Sequence, residues 1–362
     1  MLGAGESLWP WPSSVSLGNV TLELSPDFGF AQIGAHASPI VTAAAERYAK
    51  LIAAAGNGGD DGRAGSLSAC NISLSAPSRA TVLETDESYE LIVSAASRCT
   101  ITAPNAWGAL FAMETFSQLL QRGGTAANSG GGVRMHGAPV AIVDRPAFAH
   151  RGIMLDAARH FLPLGTLRAA LDAASYNKMN VLHLHVNDAQ SFPFDGVPGI
   201  ARGAYAPAAT YSAQDVGELV AYGAARGVRV ILELESPGHA ASYGAGFPAI
   251  MAACQQHYNY NFNDWALNPA LNQTYEVVFQ LMAAAAAAAP EEPQLHLGGD
   301  EVVYGCWDQD ASVGAFKVAQ GITSNDALFG YYVSRQHAKA AELGVMPIHW
   351  HEVFLGKMKM SA

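Results

Sequence analysis

The sequence predicts an α/β protein: a small N-terminal α+β domain over residues 1–145, then a (β/α)8 TIM-type barrel over 146–362, of which about five strands are present. Three observations carry that reading. In the first 145 residues short strand-like runs cluster with two helices. From about His150 the pattern becomes strand, loop, helix, repeated, with the near-continuous apolar strands of a parallel sheet. Charged and aromatic residues then collect just after those strands, where a parallel barrel gathers its active face.

Composition agrees. Half of the 362 residues are hydrophobic and only 14% are charged, so the chain can bury a sizeable core and disorder is not expected. Lys and Arg number 20 against 31 Asp and Glu, a net charge of -11. That balance repels polyanions, so neither nucleic acid nor an anionic membrane surface is an expected partner. No run of about 18 apolar residues is present, and residues 283–289 read as one helix, so no membrane span is expected.

In the first domain, residues 20–24, 69–74, 90–93 and 99–103 read as strands, the last two joined by a turn at 94–98. Ile40, Val41, Ala44, Ala45, Tyr48, Leu51 and Ile52 form a helical stripe closed by Gly56. A second helix covers 106–121, before a Gly-rich loop at 123–132. In the barrel, 152–156 is the first strand, and Leu164, Leu167 and Leu171 mark a helix with Pro163 in its first turn. The second strand is 181–186, after which Ser212 caps a helix that Gly227 stops. The third is 228–234, and a helix over 271–289 ends at Pro290. The fourth is 294–297, Asn325 caps a helix reaching Gly344, and 345–350 is the fifth. A closed barrel needs eight strands and about 250 residues, whereas His150 onward supplies five in about 210. The pattern therefore predicts a C-terminally incomplete barrel with exposed edges at its first and fifth strands.

The polar clusters after the strands are Arg159 and His160, Asn187 and Asp188, Glu235 and His239, Asp300 and Glu301, and Trp350 and Glu352. In LHLGGDE, residues 295–301, two adjacent carboxylates can serve one site only beyond the regular pleat, and Gly298 and Gly299 give that freedom. Close carboxyls also split roles, one protonated while its neighbour ionises, as an acid in glycoside hydrolysis requires. In such a cleft the Arg159 guanidinium can fork to sugar hydroxyls, and Trp350 offers a face for the apolar side of a pyranose. His183 and His185 share a strand face and, with His239, His296 and Asp300, raise the alternative of a metal-dependent barrel hydrolase. A metal-binding HxH belongs on the first barrel strand and here falls on the second. Inward-packed, hydrogen-bonded histidines are expected instead, with no metal and no cofactor. Four cysteines, Cys70, Cys99, Cys254 and Cys306, permit two bridges in three connectivities, or free buried thiols. Sequons at Asn19, Asn71 and Asn272 give weak support to a secretory route. The start, MLGAGESLWPWP, lacks the features of a signal peptide, so any secretion signal is expected upstream or already removed.

Six segments occur in order: WPWP at 9–12, RGIMLDAARHFLP at 151–163, YNKMNVLHLHVNDAQSFPF at 176–194, ESPGH at 235–239, LHLGGDEV at 295–302 and HWHEVF at 349–354. In them the chain resembles the β-N-acetylhexosaminidases of glycoside hydrolase family 20, especially the eukaryotic lysosomal and secreted members. The resemblance implies exo-acting removal of terminal non-reducing β-linked GlcNAc or GalNAc with retention, the 2-acetamido oxygen attacking to give a bound oxazolinium ion. It implies Glu301 as general acid/base and Asp300 as the group that holds the acetamido N–H. Arg159 and Asp188 would contact sugar hydroxyls, His239 would stand near the acid, and Trp350 would wall the acetamido pocket. It also implies bridges Cys70–Cys99 and Cys254–Cys306, glycans with terminal N-acetylhexosamine as partners, a homodimer, and a lysosomal, vacuolar or secreted location. Two departures stand out: Glu235 where the family often has Asp, and Asn187-Asp188-Ala189 in place of a more acidic turn. A catalytically silent carbohydrate-binding remnant is the alternative from another functional class.

Overall fold

The structure, a computed structural model, describes residues 7–55, 66–78, 82–122, 132–254 and 265–354. Gly56 and nearly all of the expected Gly-rich loop lie outside these residues. Contacts divide the chain into two units. One is Met1–Arg151 with Asp172–Asn180 and Ala224–Val228; the other is Gly152–Leu171, Val181–Gly223 and Arg229–Ala362.

The first unit contains β1 (Ser14–Ile33), α1 (Pro39–Ala55), β2 (Leu67–Leu74), β3 (Tyr89–Val93), β4 (Cys99–Ala103), α2 (Ala106–Gln118), β5 (Leu120–Arg122) and β6 (Val133–Asp144). Their sheet runs β1-β2-β4-β3-β6-β5, and β1 also pairs with β6. β1 is far longer than the strand expected at 20–24. Its first half lies antiparallel to β6 and its second parallel to β2, with a register shift between Leu24 and Gly29. Pro26, Asp27 and Gly29 look like a break in sequence, but the irregularity absorbs them within one strand. β6 was hidden in the same way by Gly137 and Pro139. The helix expected to reach 121 stops at Gln118, because Leu120 to Arg122 pair with β6. α2 is buried from Ala106 to Phe116 and starts on Asn105, whose side chain accepts from Trp107 N–H at 2.9 Å. Cys70 and Cys99 face each other in register on β2 and β4 and form a disulfide.

The second unit contains β7 (Gly152–Asp156), α3 (Leu164–Tyr176, whose last turn falls in the first unit), β8 (Val181–His185), β9 (Phe194–Asp195), β10 (Tyr211–Ser212), α4 (Ala213–Ala224), β11 (Arg229–Glu233) and α5 (Tyr243–Gly246). α6 (Asn272–Ala288), β12 (Gln294–His296), α7 (Gly305–Gln309), α8 (Ala311–Gln320), α9 (Asn325–Leu343) and β13 (Met346–Ile348) follow. β7, β8, β11, β12 and β13 form one parallel sheet in that order, with β7 and β13 at its edges. These are the five strands that the sequence pattern predicts. Leu182, Leu184, Val230 and Leu232 are buried, as strands covered on both faces must be.

Local signals were mostly legible here. Ser212 and Asp215 cap α4 reciprocally: Ser212 Oγ accepts from Asp215 N–H at 3.1 Å, and Asp215 Oδ2 accepts from Ser212 N–H at 2.9 Å. Two expectations need correction. Ser324, not Asn325, caps α9, its hydroxyl accepting from Ala327 N–H at 3.0 Å. Asn325 is already helical, and its amide spans Lys317 and Asp308. Pro163 precedes α3 rather than standing in its first turn, and its carbonyl accepts from Thr166 and Leu167. α7 and α8 were not anticipated. Asp310 separates them and caps α8, accepting from Ser312 and Val313. Cys254 and Cys306 form the second disulfide. Among the described residues no helix is long and apolar enough to cross a membrane.

Candidate active site

Parallel strands deliver all their carboxyl ends to one face, and the polar clusters meet there. The deepest group is Glu233, the last residue of β11 and fully buried. A carboxylate without water requires cationic or N–H partners. His183 Nε2 and His185 Nδ1 each lie 2.8 Å from its Oε2, although neither N–H axis aligns on the oxygen. Trp350 Nε1–H donates to Oε1 at 2.7 Å, and His296 Nδ1 lies 3.3 Å from the same oxygen. The shared face expected for His183 and His185 is thus turned onto Glu233, which pairs in register with His185. Burial works against ionised Glu233, but the histidines outweigh it and hold the carboxyl far below its usual range. Burial likewise opposes charge on His185, yet bonds to Asp188 and Glu233 raise it to about 9.

Asp188, just beyond β8, is also fully buried. Its Oδ2 meets His185 Nε2 at 3.0 Å and Arg159 Nη2 at 2.8 Å, while Oδ1 lies 3.3 Å from His239 Nδ1. Despite desolvation, these partners keep its carboxyl well below the ordinary value. Asp156 closes β7 and takes a second hydrogen bond from Arg159, Nη1 to Oδ2, at 2.9 Å. The guanidinium is therefore fixed by two carboxylates, with about a third of its side chain still exposed. His239 Nε2 lies 3.4 Å from Glu301 Oε2. Carboxylate and imidazole alternate along one line: Glu233, His185, Asp188, His239, Glu301. The line begins at a sealed group and ends at one whose side chain is 72% exposed. His239 is raised above its ordinary value, since Asp188 and then Asp300 overcome its burial.

Asp300 and Glu301 follow β12 on a loop in which Gly298, Gly299 and Glu301 have φ of 56°, 98° and 48°. A Cβ at Gly298 would run into the buried Glu235 carboxyl, and the left-handed backbone adds strain for any side chain, so both favour glycine there. Glu235 Oε1 accepts from Gly299 N–H at 2.7 Å. The Asn187 side chain clamps the Glu235 backbone: Asn187 Oδ1 accepts from Glu235 N–H at 2.9 Å, and Nδ2 donates to Glu235 O at 2.8 Å. Complete burial, then the nearby charges of Asp300 and Glu233, push the Glu235 carboxyl well above its usual range. The neutral carboxyl of this site is therefore Glu235, set beside Asp300, whose buried Oδ1 receives no other protein donor. Trp350 is partly buried, with ring centroids 4.8 Å from His296 and 5.6 Å from His183.

The structure brings together Arg159, Asp188, Glu235, His239, Asp300, Glu301 and Trp350, all from the clusters found in sequence. His160 and Glu352 have no contact with this set among those described. Glu233 was missed, although a charge inside an apolar strand, two residues from Glu235, was its signal. Two groups of donors lie within 4.8 Å of one another: His183, Glu233 and His296, and His239, Asp300 and Glu301. In the first, Trp350 already donates to Glu233 and Gly298 N–H already donates to His296 Nδ1, at 3.2 Å.

Residues 148–362 match the model of the glycosyl hydrolase family 20 catalytic domain, and residues 8–119 that of a beta-acetyl hexosaminidase-like domain. The chain belongs to glycosyl hydrolase family 20. Beta-hexosaminidase subunit alpha of Rattus norvegicus is 31% identical over 98% of this chain and 68% of its own length. Beta-hexosaminidase 1 of Arabidopsis thaliana is 33% identical over 96% of this chain and 65% of its own. Among solved structures, the Flavobacterium johnsoniae chitobiase matches with a TM-score of 0.82 at 24% identity, covering 97% of this chain and 53% of that one. The exo beta-N-acetylglucosaminidase of Vibrio harveyi, solved with N-acetylglucosamine, matches at 0.79 and 22%, covering 99% and 57%. The family 20 chain thus spans about half to two thirds of the length of these relatives. Its fold class, an α+β domain followed by strands of a TIM-type barrel, is that of the family.

Proposed function

We propose that this family 20 chain carries the site of an exo-acting, retaining β-N-acetylhexosaminidase working by substrate assistance. The observation that carries the reading is the loop ending in Asp300 and Glu301. Glu301 is exposed, with His239 behind it, while Asp300 sits against the neutral Glu235. In this reading Glu301 protonates the leaving oxygen as the acetamido oxygen of the substrate attacks the anomeric carbon. Asp300 accepts the acetamido N–H and stabilises the charge that develops as the ring closes. Glu301, now a carboxylate, takes a proton from the water that opens the oxazolinium ion. The charge on His239, favoured by buried Asp188, supports the anionic stage of Glu301. Arg159, fixed by Asp156 and Asp188, forks to sugar hydroxyls, with Asp188 acting through it. Trp350 walls the acetamido group.

The two disulfides and the exposed sequon residues Asn19, Asn71 and Asn272 support a secretory route, to a lysosome, a vacuole or the outside. The test is hydrolysis of an aryl β-N-acetylglucosaminide, with a thiazoline mimic of the cyclised sugar as strong inhibitor. Trapping a covalent glycosyl adduct on any Asp or Glu would overturn substrate assistance. Binding of sugar without turnover would favour a silent carbohydrate-binding protein.

A further inference from the structure

Three of the four residues from Gly298 to Glu301 are left-handed, a conformation with an energetic cost for Glu301. Such a loop persists when its surroundings hold it. Two of its N–H groups are taken by Glu235 and His296. The Gly298 carbonyl receives Trp350 N–H at 3.2 Å and faces His349 Nδ1, also at 3.2 Å. His349 lies just past β13 and is 7% exposed. Its other nitrogen, Nε2, is 2.9 Å from Nε2 of His337 on α9.

The proton positions follow from chemistry. A carbonyl oxygen only accepts, so His349 Nδ1 carries a proton. In a neutral ring Nε2 is then bare and must accept from His337 Nε2–H. One directed chain results, from His337 through His349 to the Gly298 carbonyl. Neither histidine belongs to the line between Glu233 and Glu301, and neither is needed for the chemistry assigned there.

We propose that His349, oriented by His337, is a positioning residue: it holds the Gly298 peptide and thereby the placement of Asp300 and Glu301. The assignment rests on the hexosaminidase reading of that pair. The titratable groups facing His349 are His337 from α9 and His296 from β12. Burial, then His337, lowers His349 to about 4, despite the opposing bond to Gly298, so the chain stays intact in mildly acidic solution. A proton added to His349 Nε2 would face the His337 N–H and break it.

The test uses full-length protein carrying His349→Val, His349→Asn or His337→Gln. Valine removes the donor, whereas asparagine keeps an N–H at the δ position and has no ε nitrogen to titrate. His349→Val should lower kcat about tenfold with KM within twofold, the size expected for one lost hydrogen bond. His349→Asn should recover most of that loss and move the acid limb of kcat to lower pH. His337→Gln, which keeps a donor, should fall between them. In the wild type near pH 6, nitrogen-15 spectra should show Nδ1 protonated on His349 and Nε2 protonated on His337. The opposite tautomer on His349, or equal kcat for the Val and Asn variants, overturns the proposal. If the wild type does not hydrolyse the aryl substrate, the hexosaminidase reading fails, while the ring-nitrogen signals still decide whether the tether exists.

Discussion

In the first unit Tyr89 donates to Asp144 at 2.9 Å, lies 2.6 Å from the Thr115 hydroxyl, and receives Lys178 Nζ at 2.8 Å. Tyr48 donates to Glu114 at 2.8 Å. Those buried polar groups close on one another. In the second unit the buried groups are as polar but less closely bonded: His239 lies 3.3 Å from Asp188 and 3.4 Å from Glu301 without an aligned hydrogen bond, and no protein N–H reaches the buried Asp300 Oδ1 or Glu235 Oε2. Among the described residues, no buried side-chain nitrogen or oxygen of the first unit lacks a hydrogen-bond partner. Buried polar groups are normally satisfied, because each unmade bond costs about 1–3 kcal/mol. Several of those in the second unit gather where the polar clusters meet, which suits a face that receives a partner from outside.

The largest effect is expected at Glu301, the exposed end of the line of carboxylates and imidazoles. Glu301→Gln should slow hydrolysis of a β-linked disaccharide by up to about ten-thousandfold, ~5 kcal/mol in barrier, without lowering the unfolding midpoint. Rates near wild type on that substrate would remove Glu301 from the mechanism. Glu233→Gln tests the second unit from within, since it removes the charge that lies 2.8 Å from both His183 and His185. Its cost should be about 3–5 kcal/mol in urea unfolding.

A pH titration of stability comes next. His185 is raised to about 9 from 6.5, so its contribution is complete below 6.5 and is lost as pH climbs through about 9. His349 is lowered to about 4, so the unfolded chain takes up a proton below 6.5 that the folded chain refuses until about 4. Above pH 6.5 His185 and the raised Glu235 carboxyl act in the same direction, so stability should fall by ~3 kcal/mol or more toward pH 9, whereas below 6.5 Glu235 offsets His349. A flat profile between 6.5 and 9 would contradict the His185 assignment. The smallest effect is expected in the first unit: Tyr89→Phe should cost about 1–2 kcal/mol of stability and leave kcat/KM within twofold.

How much of this was visible in sequence differs by element. The parallel strands were legible because both faces are buried, and an uninterrupted apolar run reports that directly. The bent strands β1 and β6 were not, since Pro26, Gly29, Gly137 and Pro139 carry turn chemistry that the tertiary pairing overrides. Site residues were legible where they follow a strand. Glu233 was not, because inside a strand a single charge gives no sign of the three histidines that will surround it. Which carboxyl is neutral could not be read at all. That depends on Glu235 and Asp300 being neighbours in space, and 65 positions separate them in sequence.

The two disulfides answer to the folding environment unequally. Loop-closure entropy assigns them similar weight, about 4 kcal/mol each, for separations of 29 and 52 residues. Their settings are not similar. Cys70 and Cys99 join strands already laddered to each other, so a reducing host would leave that sheet assembled. Cys306 sits on the short helix α7, five residues beyond Glu301, and its bridge to Cys254 anchors the chain where it leaves the loop from Gly298 to Glu301. Protein made in a reducing cytoplasm would keep its first unit and lose the mooring of its second. The redox history of a preparation would then show in turnover before it showed in secondary structure.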